Sequence, residues 1–198
     1  MKILLTGFEP FGGEKINPSW MAVKAIADTQ YSFDIFPLLL PVEYYKSVDA
    51  AINAINSFEP DVVLSVGQAG GRTCVNFENV AVNIADSDTA DNAGVILHTV
   101  NCKNGPDRLY STLPLNEMAK AVNSMGFPVK ISQNAGRFVC NHVFYGVLNY
   151  ISDNKPDIIA GFAHVPYIPE QTVKMPDRPS MSLENITECI IAALSVLK

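Results

Sequence analysis

The chain has 198 residues, 48% of them hydrophobic and 17% charged, and 14 Lys plus Arg stand against 20 Asp plus Glu for a formal net charge of -6. That much apolar material builds a core and carries no signature of disorder, and the length suits one domain over residues 1–198. An acidic chain with no Lys/Arg cluster and no basic helical stripe argues against nucleic acid and anionic membrane as partners and favours a small or neutral ligand.

The N-terminal run Met1-Lys2-Ile3-Leu4-Leu5-Thr6-Gly7 has one basic residue. Its apolar stretch falls short of the roughly 7–15 residues of a secretory leader core, so it reads as a first strand at about 2–6. In chain order the patterning then predicts a helix over 18–28, a strand over 32–38, a helix over 43–57 and a strand over 61–66. The middle breaks the rhythm: a strand over 78–85, a polar turn over 86–92 and an Asn/Gly/Pro-rich loop over 101–107 point to an irregular excursion. Regularity returns with a helix over 115–124, a strand over 129–132, a helix over 139–153, a strand over 157–163 and a helix over 182–196. The runs Asp61–Val66 and Asp157–Phe162 are nearly continuous in apolar character, as strands covered on both faces must be. The expected fold is therefore a single-domain three-layer α/β/α sandwich with a mostly parallel central sheet. Its richest apolar stretch, near Cys189–Leu194, is far shorter than the roughly 18 residues of a membrane span. Cys74, Cys102, Cys140 and Cys189 form no C-x-x-C pair and read as free thiols of a reducing cytoplasm.

Ligands of open α/β sheets bind beyond the carboxyl ends of the strands. The segments to inspect are therefore Gly7–Gly13, Gly67–Arg72, Gln133–Cys140 and His164–Tyr167. The glycine loops invite a phosphate. Both lack G-x-x-x-x-G-K-[ST] and G-x-G-x-x-G, however, and the phenylalanines Phe8 and Phe11 suit a flat apolar ligand better.

Cys140 falls in or near the first turn of a helix, where the macrodipole and free N–H groups favour a thiolate. It also shares the apolar face of Phe144, so on position alone a buried structural cysteine is the stronger reading. A nucleophilic cysteine needs a base, and the chain offers His98, His142 and His164. His142 sits about 200° around the helix from Cys140 and is unsuited. His98 has no strand end beside it. His164 ends a buried strand on the sheet edge expected for Cys140. Strand parity places Glu78 with Val80, Val82 and Ile84 on a core-facing side, where a carboxylate needs a partner: an imidazole, or a structural Arg. A metal site is not supported, since Cys140-x-His142 is one incomplete pair and H-E-x-x-H is absent.

Taken together the motifs resemble the pyroglutamyl peptidase I (pyrrolidone-carboxylate peptidase) family. They are Thr6-Gly7-Phe8-Glu9-Pro10-Phe11-Gly12-Gly13 with Asn17-Pro18-Ser19-Trp20, Gly67–Arg72, Phe77–Asn83, Gly105-Pro106 with Tyr110–Pro114, Asn134-Ala135-Gly136 with Val139–His142, and Gly161-Phe162 with His164–Gln171. The resemblance implies Cys140 as nucleophile, His164 as general base and then acid, and Glu78 as the residue orienting the imidazole. It implies peptides with an N-terminal pyroglutamate as substrates, a thioester intermediate, no cofactor, and a cytoplasmic homo-oligomer with a tetramer as one form. It assigns Phe11 and Phe138 to the ring faces of the lactam, with Phe8, Asn17 and Gln68 building or orienting the pocket. A phosphorylase-like enzyme using the same sheet edge is the alternative activity. One position departs: where the family carries Arg in a stretch like D-A-R-I-P-D-N, this chain has Asp88. A carboxylate in place of a cation near the reacting carbonyl weakens turnover unless Arg72 or Arg137 substitutes, and in the limit leaves a pyroglutamyl-binding homologue.

Overall fold

The structure, a computed structural model, describes residues 1–29 and 33–197. Its elements in chain order are β1 (Lys2–Phe8), α1 (Pro18–Ala27), β2 (Asp34–Leu40), α2 (Lys46–Phe58), β3 (Val62–Gln68), β4 (Val75–Glu78), β5 (Val80–Val82) and β6 (Ala85–Ser87). There follow β7 (Leu97–Thr99), β8 (Arg108–Tyr110), α3 (Leu115–Ser124), β9 (Val129–Ser132), α4 (Val139–Asn154), β10 (Ile159–Val165), α5 (Pro169–Thr172) and α6 (Leu183–Leu194). The predicted strand 32–38 corresponds to β2, which begins and ends two residues later, at Asp34–Leu40; residue 32 of the prediction lies outside the described residues.

Six strands form one sheet in the order β2-β1-β3-β10-β4-β9. All neighbours run parallel except β10 and β4, which pair antiparallel. Strand alternation divides the core. Ile3, Leu5, Leu64, Val66 and Ala163 pack under α1, α3 and α6, while Leu4, Val63, Ala160 and Phe162 pack under α2 and α4. Both faces of β1, β3 and β10 are thus covered, which is why these strands read as continuous apolar runs. The mixed sheet with helices on both faces is the expected three-layer arrangement. Among the described residues no helix is long and apolar enough to cross a membrane.

Strand order reverses between β1 and β3, because β1 leads outward to β2 and α2 then returns the chain to the far side of β1. That switch point opens a crevice beyond Phe8 and Gln68, the last residues of the two strands. Two local signals frame it. Asn17 caps α1, its Oδ1 accepting from Ser19 N at 3.0 Å with Pro18 in the first helical turn. Helix α2 starts at Lys46 rather than at the predicted residue 43. Tyr45 takes φ 61° and ψ -54°, and Lys46 N donates to Tyr44 O at 2.7 Å, which makes a γ-turn.

The predicted strand 78–85 is three separate strands. Asn79 is the hand-over: its N–H donates to the carbonyl of Ser132, the last residue of β9, and its carbonyl accepts from Ser111 N beyond β8. β5 therefore leaves the main sheet to pair with β8, while β6 pairs with β7 as a hairpin. Glu78 shares no strand face with Val80 or Val82. Its burial comes from β4 lying between β10 and β9.

Candidate active site

The chemistry gathers where α4 meets the carboxyl ends of β3 and β10. Cys140 is the second residue of α4, behind the turn through Gly136 at φ 79°. Its Sγ lies against the backbone of Gly67, so close that a Cβ built on that glycine would stand 2.9 Å from the sulfur and 2.8 Å from Phe162 Cζ. Gly67 is the register partner of His164 across the β3–β10 ladder. One missing side chain therefore lets the thiol of one element approach the strand pair that carries the imidazole.

His164 is 4% exposed and Glu78 is fully buried. Glu78 pairs with Phe162 and His164 with Asn76, so carboxylate and imidazole are diagonal neighbours on adjacent strands. His164 Nδ1 and Glu78 Oε1 are 2.8 Å apart. With Nδ1–H donating, the other ring nitrogen, Nε2, is left as the basic one. Arg72 reaches the same Oε1 with Nη2 at 3.1 Å. The two partners foreseen as alternatives for Glu78, an imidazole and an arginine, are thus both present.

Beside the thiol, Phe8, Phe11, Asn17, Val42, Gln68, Phe138, Val139 and Cys140 line a small apolar hollow of about 10 Å³. That is room for one water and no more. All five residues singled out for a pocket meet here. Phe11 and Phe138 face each other with ring centroids 6.1 Å apart, and both are only partly buried. Asn17 holds its amide in structural bonds, to Ser19 and from Nδ2 to Glu9 O at 2.9 Å. It builds the wall rather than offering a free group. Gln68 is different. Ile168 N donates to Gln171 Oε1, which turns Gln171 Nε2 onto Gln68 Oε1 at 2.9 Å. That chain leaves the Gln68 amide NH₂ without a protein partner among the described residues.

A cysteine at a helix start beneath a buried His–Glu pair, beside an aromatic hollow at the switch point, narrows the comparison with known proteins. The family model for pyroglutamyl peptidase matches residues 1–198. The chain belongs to the pyroglutamyl peptidase family. Pyrrolidone-carboxylate peptidase 1 of Caldanaerobacter subterraneus subsp. tengcongensis is 43% identical over 198 residues, which is 100% of this chain and 98% of the relative. The crystal structure of pyroglutamyl peptidase I from Bacillus amyloliquefaciens superposes with a TM-score of 0.93 at 41% identity, covering 97% of this chain and 92% of that one. A mutant pyrrolidone carboxyl peptidase from the hyperthermophile Pyrococcus furiosus superposes at 0.95 with 36% identity, covering 99% and 97%. These are cysteine-type omega peptidases, and the present chain is one.

In this peptidase the thiol is not the ready thiolate that a helix start suggests. Burial, with the Glu78 charge adding to it, pushes Cys140 up to about 12. The magnitudes explain the reversal. A helix terminus contributes about 0.3–1 kcal/mol, under one pKa unit, while burial moves a titratable group by up to 3–5 units. His142 points elsewhere, as its helical position predicts. Its Nδ1 lies 2.8 Å from Asn101 Oδ1, its Nε2 accepts from Tyr45 N, and burial lowers its pKa to about 4. His98 sits on exposed β7, with Nδ1 2.8 Å from Asp86 Oδ1 and Nε2 3.6 Å from Asp88 Oδ1. Neither arginine foreseen as a substitute cation is uncommitted. Arg72 is bound to Glu78, and Arg137 Nη1 holds Asp86 Oδ2 at 2.8 Å. Gln171 and Val42 went unassigned in the sequence. Gln171 had a signal, since it closes the Pro-Tyr-Ile-Pro-Glu-Gln run that follows His164 and Val165. Val42, one apolar residue after a strand, had none.

Proposed function

We propose that the protein hydrolyses the amide bond after an N-terminal pyroglutamyl residue, with Cys140 as nucleophile, His164 as base and acid, and Glu78 orienting the imidazole. The observation that carries this reading is the 2.8 Å Glu78–His164 contact behind a sulfur seated on Gly67, the register partner of His164. A thiol held near 12 leaves no standing thiolate at neutral pH, so proton transfer to His164 Nε2 accompanies attack. The Cys140 Sγ–carbon bond forms and the carbonyl π electrons move to oxygen. On collapse the C–N bond breaks, and His164 returns the proton to the leaving amine. A thioester remains. Water attacks it, giving one proton to His164 and breaking the S–C bond. Free pyroglutamate leaves, and the proton goes back to sulfur.

Pyroglutamate is a neutral, flat lactam, which matches a hollow with two facing phenylalanines and one amide. The Gln68 NH₂ suits the lactam carbonyl. A five-membered ring exceeds the open space, so its entry displaces Phe11 and Phe138, the partly exposed wall. Asp88, fully exposed on the β6–β7 turn, motivates a second reading in which the same site binds pyroglutamyl peptides with weakened turnover.

The test is hydrolysis of a pyroglutamyl fluorogenic amide, with a prolyl amide as control. Wild type cleaves only the pyroglutamyl amide, and Cys140→Ser lowers the rate on the order of 10⁴-fold or more. Cleavage of neither amide defeats the catalytic claim, and equal cleavage of both defeats the specificity. In the same assay Asp88→Arg raises kcat/KM if the second reading holds, while an unchanged value in a folded variant removes it.

A further inference from the structure

Glu78 is fully buried, and its Oε2 has no hydrogen-bond partner among the described residues. All compensation for its charge passes through Oε1, which is shared by His164 Nδ1 at 2.8 Å and Arg72 Nη2 at 3.1 Å. A buried carboxylate with too little compensation takes up a proton instead of staying charged. In the proposed cycle His164 is neutral before attack and cationic after it, so the imidazole alone cannot hold Glu78 ionised throughout. A guanidinium is charged in both halves.

The same side chain reaches further. Arg72 Nη2 also donates to Asn134 O at 3.0 Å, and Nη1 donates to Asn76 Oδ1 at 3.1 Å, with Ser132 Oγ 3.5 Å from both. Asn134 opens the short loop that runs into Cys140, and Asn76 is the register partner of His164. One planar fork thus ties the carboxylate, the strand beside the imidazole and the approach to the nucleophile.

We propose that Arg72 is a positioning residue of the reaction: its fixed charge keeps Glu78 an anion while His164 is neutral, and its fork sets the loop that delivers Cys140. This rests on the catalytic reading above. Among the described residues, the titratable and charged groups that contact or electrostatically reach the Glu78–His164 pair are Arg72 from the β3–β4 loop and Cys140 from α4. Cys140 in turn lies within electrostatic reach of the Tyr44 phenol. Asn76, Ser132 and Asn134 add only neutral groups.

Removing the guanidinium lets the pair retain one extra proton to higher pH, on either member, because two coupled groups titrate as a unit. A protonated imidazole is no base, and a protonated carboxyl no longer stabilises the imidazolium. Either way the acid limb of kcat/KM moves up. The experiment is an NMR titration of protein carrying ¹³C-labelled Glu and His, with Glu78→Gln for assignment, together with pH–rate profiles of wild type, Arg72→Gln and Arg72→Lys. In Arg72→Gln the uppermost step seen at either Glu78 or His164 rises by about 1–3 pH units, and the acid limb follows. Arg72→Lys keeps the charge but not the fork. Its limb stays within about half a unit of wild type while kcat falls roughly tenfold or more. An Arg72→Gln step that titrates with wild type overturns the proposal. So does an equal loss in both variants with neither limb moved, which is the mark of a merely structural arginine. Should Arg72→Gln fail to fold, wild-type kcat in Arg72→Lys overturns the positioning role. The titration uses no substrate, so a wild type that cleaves no pyroglutamyl amide sinks the functional reading and leaves this test standing.

Discussion

Gly67 is the residue on which the site geometry turns. A methyl group there would meet Cys140 Sγ at 2.9 Å and Phe162 Cζ at 2.8 Å, distances at which something has to move. Phe162 is fully buried and packs on Phe8 and Phe144, so the sulfur is the part that yields. Gly67→Ala should therefore cost about 1–3 kcal/mol in stability, as overpacking does, and, on the proposed mechanism, lower kcat about 100-fold or more through misplacement of the Cys140 thiol. Denaturant melts and steady-state kinetics on one preparation check both. A variant with normal kcat would show that the thiol reaches its target from another position. At this scale the sequence is informative where chemistry restricts the choice. Cys140 at a helix start and His164 at a strand end follow from pattern. Glu78 is core-facing, but not through parity with Val80 and Val82, since the strand breaks at Asn79. The Cys140 thiol was expected low and is high, because a sequence shows a helix terminus but not the depth of burial around it.

At the scale of elements, the junction between α2 and α4 carries a pH dependence of its own. The strained γ-turn at Tyr45 is held by Asp91 Oδ2, which accepts from Tyr44 N at 2.8 Å, and by His142 Nε2, which accepts from Tyr45 N at 3.3 Å. That acceptor exists only while His142 is neutral. Burial lowers His142 from 6.5 to about 4, so the unfolded chain binds a proton between those values that the folded protein refuses. The contribution is complete above pH 6.5 and is lost as the pH falls toward 4, by about 3 kcal/mol. His142→Gln can still accept from Tyr45 and donate to Asn101 without titrating. Urea unfolding from pH 7 to pH 4 should show a flatter pH dependence for this variant than for wild type. Parallel curves would mean that His142 charges freely in the folded protein. Long elements were legible because each spans several periods of its apolar repeat. The strands β5 to β8, at three residues each, contain too little of a period to be seen, and the antiparallel pairing of β4 has no local signature.

The molecule as a whole places its site at a switch point between two helical layers that share one sheet, and this bears on how it comes apart. Stripping α2 and α4 from the sheet would expose Leu4, Phe8, Leu40, Val63 and Phe162, all in the cluster on that face. At about 1.5–3 kcal/mol for each buried side chain, such a half-open form costs roughly 8–15 kcal/mol. That is comparable with the whole stability of about 5–15 kcal/mol expected for a protein of this kind. A half-open form therefore gains nothing over complete unfolding. Residues 1–198 should behave as one domain, with one transition. The single tryptophan, Trp20 on α1, packs against the cluster on the opposite face and reports on that layer. Hydrogen exchange at the amides of Val143, Val147 and Leu148 reports on α4. Trp20 fluorescence and α4 exchange should give the same midpoint in denaturant. A lower midpoint for α4 would mean that the two layers are independent folding units and that Cys140 rides on the weaker one. In that case the Cys140 layer could open while β1, β3 and β10 still hold, and the geometry seated on Gly67 would depend on α4 docking rather than on the sheet.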